Sequence, residues 1–338
     1  MNLLAIQLKK LGDLILTAPA LQSLRANFPN ARITLAVDSS AAPLRPLFSP
    51  VDDFLVYEKR KLNLPLWRRL TTSSFDATID FSGTDRSALM TRLSRAPKRI
   101  TSEKLGQKPA KKHAYNTLVP ASVRDLHTVD YHQQFLTPFE IDAAPPPPNL
   151  SIPDETTAQV DSLLADNDLL KQPYALIHPC SAAPEKFWLP TSWAAVIDYL
   201  ADKHDLPSVV TGGNTPQEQT HLDAIISKTK SPVLNLSTQT SLLHLAELAR
   251  RATLLVSVDT LAMHLGDAFL VPQVSLFGPT NPYHWRPRHE HSLVLLAGQP
   301  QPITEFTPHH NIAPMSDLSL DAVVNAVAKT VAPAANTD

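Results

Sequence analysis

The sequence predicts an α/β protein of two domains, each built on a mostly parallel sheet with helices packed against it. Strand-like apolar runs alternate with helix-like runs along both halves of the chain, which is the pattern of repeated strand–helix–strand units. A proline-rich segment, AAPPPPNLSIP at residues 143–153, separates the two halves. Its four consecutive prolines can continue neither a helix nor a central strand. The 338 residues are enough for two domains of ordinary size.

The predicted elements follow this division. In the first domain, residues 1–144, we predict strands at 2–8, 32–37, 53–57 and 77–81, and helices at 13–28, 40–48 and 84–94. A linker at 145–153 leads to the second domain, residues 154–317. There we predict strands at 174–179, 207–211, 233–236, 254–259 and 272–277, and helices at 191–204, 216–229, 241–251 and 260–269. We expect two Rossmann-like domains that face an interdomain cleft.

The end of the sequence has an amphipathic pattern. Apolar residues recur at helical spacing in the segment 318–331, LSLDAVVNAVAKTV. This predicts a helix that packs on the surface of the second domain or bridges the two halves. Residues 332–338 are expected to be frayed.

Composition limits the classes of protein. The only cysteine is Cys180, which excludes a disulfide framework or a cysteine zinc site within one chain. Lys9, Lys10 and Asp13 interrupt the first apolar run, so we expect no signal peptide. No apolar stretch approaches the roughly 20 residues of a membrane span. We therefore expect a cytoplasmic protein.

Charge divides the chain into unlike halves. Residues 1–144 contain 20 Lys and Arg against 13 Asp and Glu, a net charge of +7, whereas residues 145–338 contain 10 against 19, a net charge of −9. The basic half favours an anionic partner, such as nucleic acid, anionic lipid or a phosphorylated sugar. No motif of a nucleic-acid-binding module is present, so we expect no nucleic acid partner.

Two basic clusters lie in the first half, at residues 59–70 and 92–113. Such clusters usually form a solvated face. In the first cluster Trp67 stands among five cations, which favours an interface or a lipid headgroup region instead.

The segment LLVSVD at 254–259 reads as a buried strand, and Asp259-Thr260 then opens a short helix. Free backbone N–H groups at a helix N-terminus bind phosphate, so this turn is a candidate diphosphate site. His264 lies in the first turns of the same helix, where it is either part of that site or a histidine that packs the helix.

Near the other end of the sequence, residues 1–19 predict a strand, a tight turn and a helix. Asp13 falls at the carboxyl end of that strand, where open α/β sheets bind their ligands. It is a candidate general base. The alternative is that Asp13 is simply the N-cap of the first helix.

Two further loops follow predicted strands of the second half. The loop after strand 174–179 presents Ser181, Lys186 and Trp188, and Lys186 is either solvated or neutralises a leaving diphosphate. After strand 207–211 comes a Gly-Gly turn, and Glu218 there either completes a capping box with Thr215 or holds ribose hydroxyls.

Taken together, these segments resemble glycosyltransferase family 9, the ADP-heptose:lipopolysaccharide heptosyltransferases of Gram-negative bacteria. The segments that carry the resemblance are residues 5–33, 178–196, 211–218, 235–269 and 271–282. The resemblance implies the GT-B fold, in which two Rossmann-like domains bind the acceptor in the N-terminal half and the nucleotide sugar in the C-terminal half.

The resemblance also implies residue roles. Asp13 matches the proposed base that takes a proton from the acceptor hydroxyl, and Lys186 matches the lysine on the donor phosphates. Glu218 matches the ribose-binding carboxylate, and Thr240 to Leu242 match the segment whose backbone edges the adenine. The donor-binding positions are Ser181, Gly212, Glu218, Thr240, Leu242, Asp259, Thr260, Leu261 and His264. The acceptor-binding positions are Lys9, Lys10 and Gly12.

The implied reaction is an inverting, metal-independent transfer of a heptosyl or related group from an ADP-sugar to a hydroxyl of a lipopolysaccharide core or another surface glycan. The ADP-sugar is a substrate, and no cofactor or metal ion is expected. The expected partners are the nucleotide-sugar donor and an anionic glycolipid, with peripheral contact at the cytoplasmic face of the inner membrane.

Two alternatives stay open at the level of sequence. One is a GT-B nucleotide-sugar epimerase, which would turn over the donor without an acceptor. The other is a catalytically degenerate nucleotide- or glycan-binding relative, because Leu261 stands where the family normally has glycine and Lys9 and Lys10 stand where it commonly has small hydroxyl residues.

Overall fold

A computed structural model describes residues 1–331. The predicted fraying of residues 332–338 lies outside the described residues. The chain divides into two compact units, Met1–Ser151 and a second that begins at Ile152. This boundary falls inside the proline-rich segment that was predicted to be the linker. Each unit has its own sheet and core.

The first unit contains a six-stranded parallel sheet with the order β3-β2-β1-β4-β5-β6. Its strands are β1 (Asn2–Gln7), β2 (Arg32–Asp38), β3 (Asp53–Tyr57), β4 (Ala77–Asp80), β5 (Lys98–Ser102) and β6 (Thr117–Val119). Its α-helices are α1 (Leu11–Ile15), α2 (Ala18–Asn27), α3 (Leu64–Thr72), α4 (Asp85–Leu93), α5 (Glu103–Gly106) and α6 (Thr128–Gln134). The central strand β1 is buried from Leu3 to Gln7 because parallel sheets of this kind are covered on both faces.

The second unit repeats the arrangement, with a six-stranded parallel sheet of order β12-β11-β10-β7-β8-β9. Its strands are β7 (Ala175–His178), β8 (Ser208–Val210), β9 (Val233–Asn235), β10 (Leu254–Val258), β11 (Gln273–Phe277) and β12 (Ser292–Leu296). Its α-helices are α7 (Asp154–Ala165), α8 (Pro190–His204), α9 (Pro216–Ile226), α10 (Leu242–Arg251), α11 (Leu261–Ala268) and α12 (Leu320–Val331).

Helix α12 packs in the core of the second unit, against α8, β11 and β12. Val323, Ala326 and Val327 are fully buried there. The amphipathic pattern of the sequence therefore identified a helix that completes the core beneath this sheet.

Two predicted helices take a different form. The predicted helix 13–28 is divided into α1 and α2 around Thr17, because Pro19 has no N–H to continue the hydrogen-bond ladder. The predicted helix 40–48 is a 3₁₀ helix, Ser39–Leu47, which contains Pro43 and Pro46. Prolines remove donors in both places, so a continuous α-helix does not form.

Strand β5 lies where the sequence showed the second basic cluster. Lys98 donates to the carbonyl of Pro138 at 2.8 Å, and its ammonium lies 4.8 Å from the centre of the Phe139 ring. Arg99 donates to the carbonyls of Ala114 and Ala96, both at 2.8 Å. The interpretation of this cluster as a solvated face is wrong for these two cations, because backbone carbonyls hold them.

Among residues 1–331, no helix combines the length and the apolar character that crossing a bilayer requires.

Candidate functional site

In the second unit, the loops that follow β10, β7 and β8 leave the same edge of the sheet. These strands are parallel neighbours, so their carboxyl ends meet at one edge. Asp259 and Thr260 follow β10, Ser181 and Lys186 follow β7, and Gly212 follows β8. This is the edge at which open α/β sheets bind ligands.

Lys186 and Asp259, which are 73 positions apart in sequence, form an ion pair. The Lys186 Nζ lies 2.5 Å from Oδ2 of Asp259 and 3.3 Å from its backbone oxygen. The two side chains are only 14% and 9% exposed, so solvent screens the pair weakly. The structure thus fixes the Lys186 ammonium directly before helix α11.

Thr280 also bonds this carboxylate, donating from its hydroxyl to Oδ2 of Asp259 at 3.1 Å. The sequence prediction did not include Thr280. Its position was a usable signal, since it comes three residues after β11, the parallel neighbour of β10.

The N-terminus of α11 has backbone donors that its N-cap does not satisfy. Thr260 is the N-cap, with an extended backbone (φ −154°, ψ −179°), and its side chain makes no capping hydrogen bond. First-turn N–H groups without a side-chain cap are available to an anion, and the helix dipole favours negative charge there. Leu261, the first residue of the helix, is 8% exposed and therefore packed within the protein.

His264 lies in the second turn of α11 and is buried. Burial lowers the pKa of His264 to about 4, and the Lys186 charge acts in the same direction while Asp259 opposes it. Its Nδ1 makes no hydrogen bond to the described residues. His264 is therefore neutral near pH 7, and its ring contributes no positive charge.

The loop that bears Lys186 is anchored by aromatic packing. Phe187 stacks on His221 with the ring centres 4.5 Å apart, and the Trp188 Nε1 donates to the carbonyl of Leu318 at 3.1 Å. Trp188 is 1% exposed, so the expectation that the loop presents it is wrong. Ser181, also buried, accepts a hydrogen bond from the Ala183 N–H at 3.3 Å.

Glu218 completes the capping box that the sequence predicted. Its Oε2 accepts from the Thr215 hydroxyl at 2.7 Å and from the Thr215 N–H at 3.3 Å. A Cβ on Gly213 would lie 2.3 Å from this oxygen, and a Cβ on Gly212 would lie 2.8 Å from Cδ1 of Leu222. The Gly-Gly turn makes room for the cap and the core, and the ribose role of Glu218 stays a prediction.

Thr240 and Leu242 lie where β9 connects to α10. The Thr240 hydroxyl donates to the carbonyl of Leu236 at 3.1 Å, and Leu242 is the half-buried first residue of α10. Their position at the adenine stays a prediction.

In the first unit, Asp13 is half-buried in the first turn of α1. The N-cap of that helix is Lys10, so the alternative that Asp13 is the N-cap is wrong. Gly12 belongs to the same short helix, Lys9 is half-buried, and Lys10 is exposed. The helix has only five residues, so packing around it must fix the orientation of Asp13.

A buried polar network lies beneath this helix. The Thr17 hydroxyl donates to the backbone oxygen of Asp13 at 2.7 Å and accepts from Nε2 of Gln7 at 3.0 Å. Nδ1 of His132 lies 3.2 Å from both the Thr17 hydroxyl and the carbonyl of Leu16, which can only accept, so this nitrogen carries the proton. Burial, aided by the Lys9 charge, lowers the pKa of His132 to about 3.

This network connects to the end of β4. The Ser82 hydroxyl donates to Oε1 of Gln7 at 3.2 Å and accepts from the Leu8 N–H at 2.6 Å. Asp80, fully buried, accepts from the Tyr115 hydroxyl at 2.6 Å and from the Ser82 and Gly83 N–H groups at 2.9 Å. Burial raises the pKa of Asp80. The sequence prediction missed this network, although an aspartate at the end of the apolar strand ATID was a signal for it.

No group of three or more His, Cys, Asp or Glu side chains within residues 1–331 could hold a metal ion. The metal-independence of the reaction stays a prediction.

Comparison with known proteins identifies the family. The family model described as glycosyltransferase family 9 (heptosyltransferase) matches residues 64–311. Lipopolysaccharide heptosyltransferase 3 of Escherichia coli is 24% identical over 297 residues, which cover 85% of this chain and 86% of that protein.

Solved structures show the same fold. The family 9 glycosyltransferase of Veillonella parvula superposes with a TM-score of 0.85 at 22% identity, covering 98% of this chain and 97% of its own. The E. coli heptosyltransferase WaaC, solved with ADP-2-deoxy-2-fluoro heptose, gives a TM-score of 0.73 at 20% identity, covering 97% of this chain and 99% of its own. The prediction of a GT-B fold with two parallel α/β sheets is confirmed. The chain belongs to glycosyltransferase family 9, the heptosyltransferase family, and is a glycosyltransferase.

Proposed function

We propose that the protein is an inverting glycosyltransferase that moves a heptosyl group from an ADP-activated heptose to a hydroxyl of a lipopolysaccharide core acceptor. The observation that carries the proposal is the buried Lys186–Asp259 pair directly before the uncapped N-terminus of α11. The names of the relatives support the identity of the substrates: one is a lipopolysaccharide heptosyltransferase, and WaaC was solved with an ADP-heptose analogue.

The donor half of the reaction is assigned to the second unit. When the sugar leaves its nucleotide, negative charge builds on the terminal diphosphate oxygen. The N–H groups of the first turn of α11 and the Lys186 ammonium stabilise that charge, and both are held in place before the reaction begins. Asp259 keeps the ammonium in position through its 2.5 Å contact, and its own carboxylate is held by Thr280.

The acceptor half is assigned to Asp13. Its carboxylate takes the proton of the acceptor hydroxyl while that oxygen forms a bond to the anomeric carbon. The bond from this carbon to the diphosphate oxygen breaks, and its electron pair leaves with ADP. Attack and departure occur on opposite faces of the carbon, which gives inversion. Lys9, Lys10 and Gly12 are assigned to acceptor binding because they adjoin Asp13 in the same turn.

The remaining donor roles follow from position. Ser181, Gly212 and Glu218 are assigned to the edge of the nucleotide site, with Glu218 on the ribose, and Thr240 and Leu242 to the adenine. The neutral His264 is assigned a hydrogen bond to the donor, since burial holds its pKa at about 4. Leu261 adjoins the diphosphate through its backbone N–H.

The reaction is placed in the cytoplasm, with peripheral contact at the inner face of the inner membrane. The net charge of +7 over residues 1–144 supports attraction to an anionic glycolipid and to anionic leaflet lipids.

Calorimetry against ADP, UDP, GDP and CMP tests the donor site without an acceptor. We expect ADP to bind, and Lys186→Gln to weaken binding about tenfold or more, because a charge-assisted contact is lost. Lys171→Gln, which removes an exposed lysine of the same unit, is the matched control and should leave ADP affinity unchanged. Absence of binding by all four nucleotides would refute the proposal.

Transfer assays separate the alternatives. Product that forms from the donor alone, with no acceptor present, would identify the epimerase, which the family assignment does not favour. Turnover that appears only in Leu261→Gly would identify a degenerate site, whereas robust turnover by the native chain dismisses it.

A further inference from the structure

We infer that the protein binds anionic phospholipid bilayers through one face of the first unit, formed by Arg60, Lys61, Leu62, Leu64 and Arg68, here termed the docking face. This extends the membrane contact proposed above by naming the surface. Leu62 is 80% exposed and Leu64 is 67% exposed, the highest values among the large hydrophobic side chains of residues 1–331. Exposed leucines next to cations are characteristic of membrane-surface segments.

The turn that displays Leu62 is held in a defined conformation. Asn63 closes it: its side chain donates to the carbonyls of Glu58 (2.8 Å) and Lys61 (2.7 Å) and accepts from the Glu58 N–H at 2.8 Å. Arg60 and Asn63 both adopt left-handed backbone conformations, with φ of 65° and 53°. The hydrogen bonds of Asn63 therefore hold this turn in one conformation, in which Leu62 is exposed.

Helix α3 fixes the rest of the docking face. Leu66 and Leu70 are buried in the core of the first unit. Trp67 packs against Tyr57, with the ring centres 6.4 Å apart, and its Nε1 donates to the carbonyl of Leu62 at 2.9 Å. An open groove of about 930 Å³ runs along the helix, lined in part by Leu64 and Arg68. The apolar surface on this side is thus stable and accessible.

The docking-face cations that form no ion pair within the described residues indicate which kind of surface binds it. Lys59 and Lys61 pair with Asp38 and Glu58, and Arg69 pairs with Asp53. Among residues 1–331, by contrast, Arg60 and Arg68 form no ion pair. A flat anionic surface satisfies both arginines at its phosphates and at the same time takes up the two leucines below them. We therefore assign the face to an anionic phospholipid bilayer.

Vesicle sedimentation with the full chain tests this inference, using phosphatidylcholine vesicles with and without phosphatidylglycerol and no substrates. We expect binding that depends on phosphatidylglycerol. The double variant Leu62→Ser/Leu64→Ser should lose about tenfold in affinity without a change of charge. Arg60→Gln/Arg68→Gln should also lose about tenfold.

Matched variants localise the effect. Leu89→Ser removes another exposed leucine of the first unit, and Lys104→Gln/Lys112→Gln removes two exposed cations from the other basic cluster. Both should bind vesicles like the native chain, and circular dichroism should show all variants folded. Equal losses in these controls, native-like binding by the Leu62/Leu64 variant, or a dimer that these variants dissociate would overturn the inference. Because no nucleotide or acceptor is present, the result is independent of the proposed transferase activity.

Discussion

The two units have the same architecture but hold their candidate residues in different ways. In the second unit the key side chains bond each other directly, as in the Lys186–Asp259 pair. In the first unit Asp13 lies on a five-residue helix, and an uncharged network of Thr17, Gln7 and His132 supports that helix from below. Under the proposed function, the second unit meets the charge on the leaving group and the first unit orients one carboxylate.

The largest effect should come from Asp13→Asn. If Asp13 is the base, turnover should fall about a thousandfold, since loss of a general base typically costs two to four orders of magnitude. Calorimetric affinity for ADP should stay unchanged, because the nucleotide is assigned to the other unit. A variant that keeps native turnover would remove the distinction between the two units.

Thr17→Val should come next. The substitution removes the support of the Asp13 backbone and leaves Gln7 and His132 without a shared partner. We expect turnover to fall about tenfold to a hundredfold, as misplaced catalytic groups do, with ADP affinity unchanged. Thr17→Ser retains the hydroxyl and should restore most of the turnover. Equal defects in the two variants would show that only the packing of Thr17 matters.

Glu218→Gln separates the cap from the ribose. Glutamine also completes a capping box, so thermal stability should change little. If Glu218 holds the ribose, ADP affinity should fall about tenfold, because a charged acceptor is lost. Thr215→Ala is the matched variant, since it breaks the cap while retaining the carboxylate. It should lower the free energy of unfolding by about 1 kcal/mol. If Glu218→Gln instead lowers stability and leaves ADP affinity unchanged, the role of Glu218 is purely structural.

The smallest effect on the reaction itself is expected from His178, whose substitution should change only how stability depends on pH. Burial lowers the pKa of His178 from an ordinary value of 6.5 to about 4. Between these values the unfolded chain binds a proton that the folded chain does not, so stability is full above pH 6.5 and is lost as the pH falls toward 4.

His178→Gln should therefore flatten the dependence of unfolding free energy on pH in this window, by up to about 1.4 kcal/mol per pH unit. The raised pKa of Asp267 changes stability in the opposite direction. It is common to the native chain and the variants, so it cancels in the comparison. Denaturant titrations at several pH values measure the slope, with the exposed His309→Gln as the baseline. Parallel slopes for the native chain and the two variants would show that His178 does not cause this dependence on pH.

Periodicity was enough to predict the two sheets but not all their strands. The long apolar strands β1 and β10 stand out because both faces of a parallel sheet are covered. Strand β5 begins with Lys98 and Arg99. The carbonyl of Pro138, 40 positions away, holds Lys98, and the carbonyls of Ala114 and the nearby Ala96 hold Arg99. Strand β6 has only three residues. Sequence patterns cannot show that a cation will find such partners.

For the candidate site, too, the sequence could predict some of the contacts and not others. Lys186 and Asp259 follow neighbouring strands, so the sequence could bring them to one edge. His132 lies 115 positions from Thr17, and no local pattern connects them. Trp188 was predicted to lie in an exposed loop beside Lys186. It is buried instead, and its indole N–H bonds the carbonyl of Leu318, just before α12. Contacts between remote segments are set by packing and are absent from local spacing.

The position of α12 has a consequence for biosynthesis. Chains emerge from the ribosome N-terminus first, and domains generally fold as units. The first unit is complete at Ser151, so it can fold while the second is still being translated. The Lys186 loop must wait, because Trp188 bonds the carbonyl of Leu318 and belongs to the same buried core as α12. Nascent chains should therefore acquire nucleotide-binding competence only after this segment has left the exit tunnel.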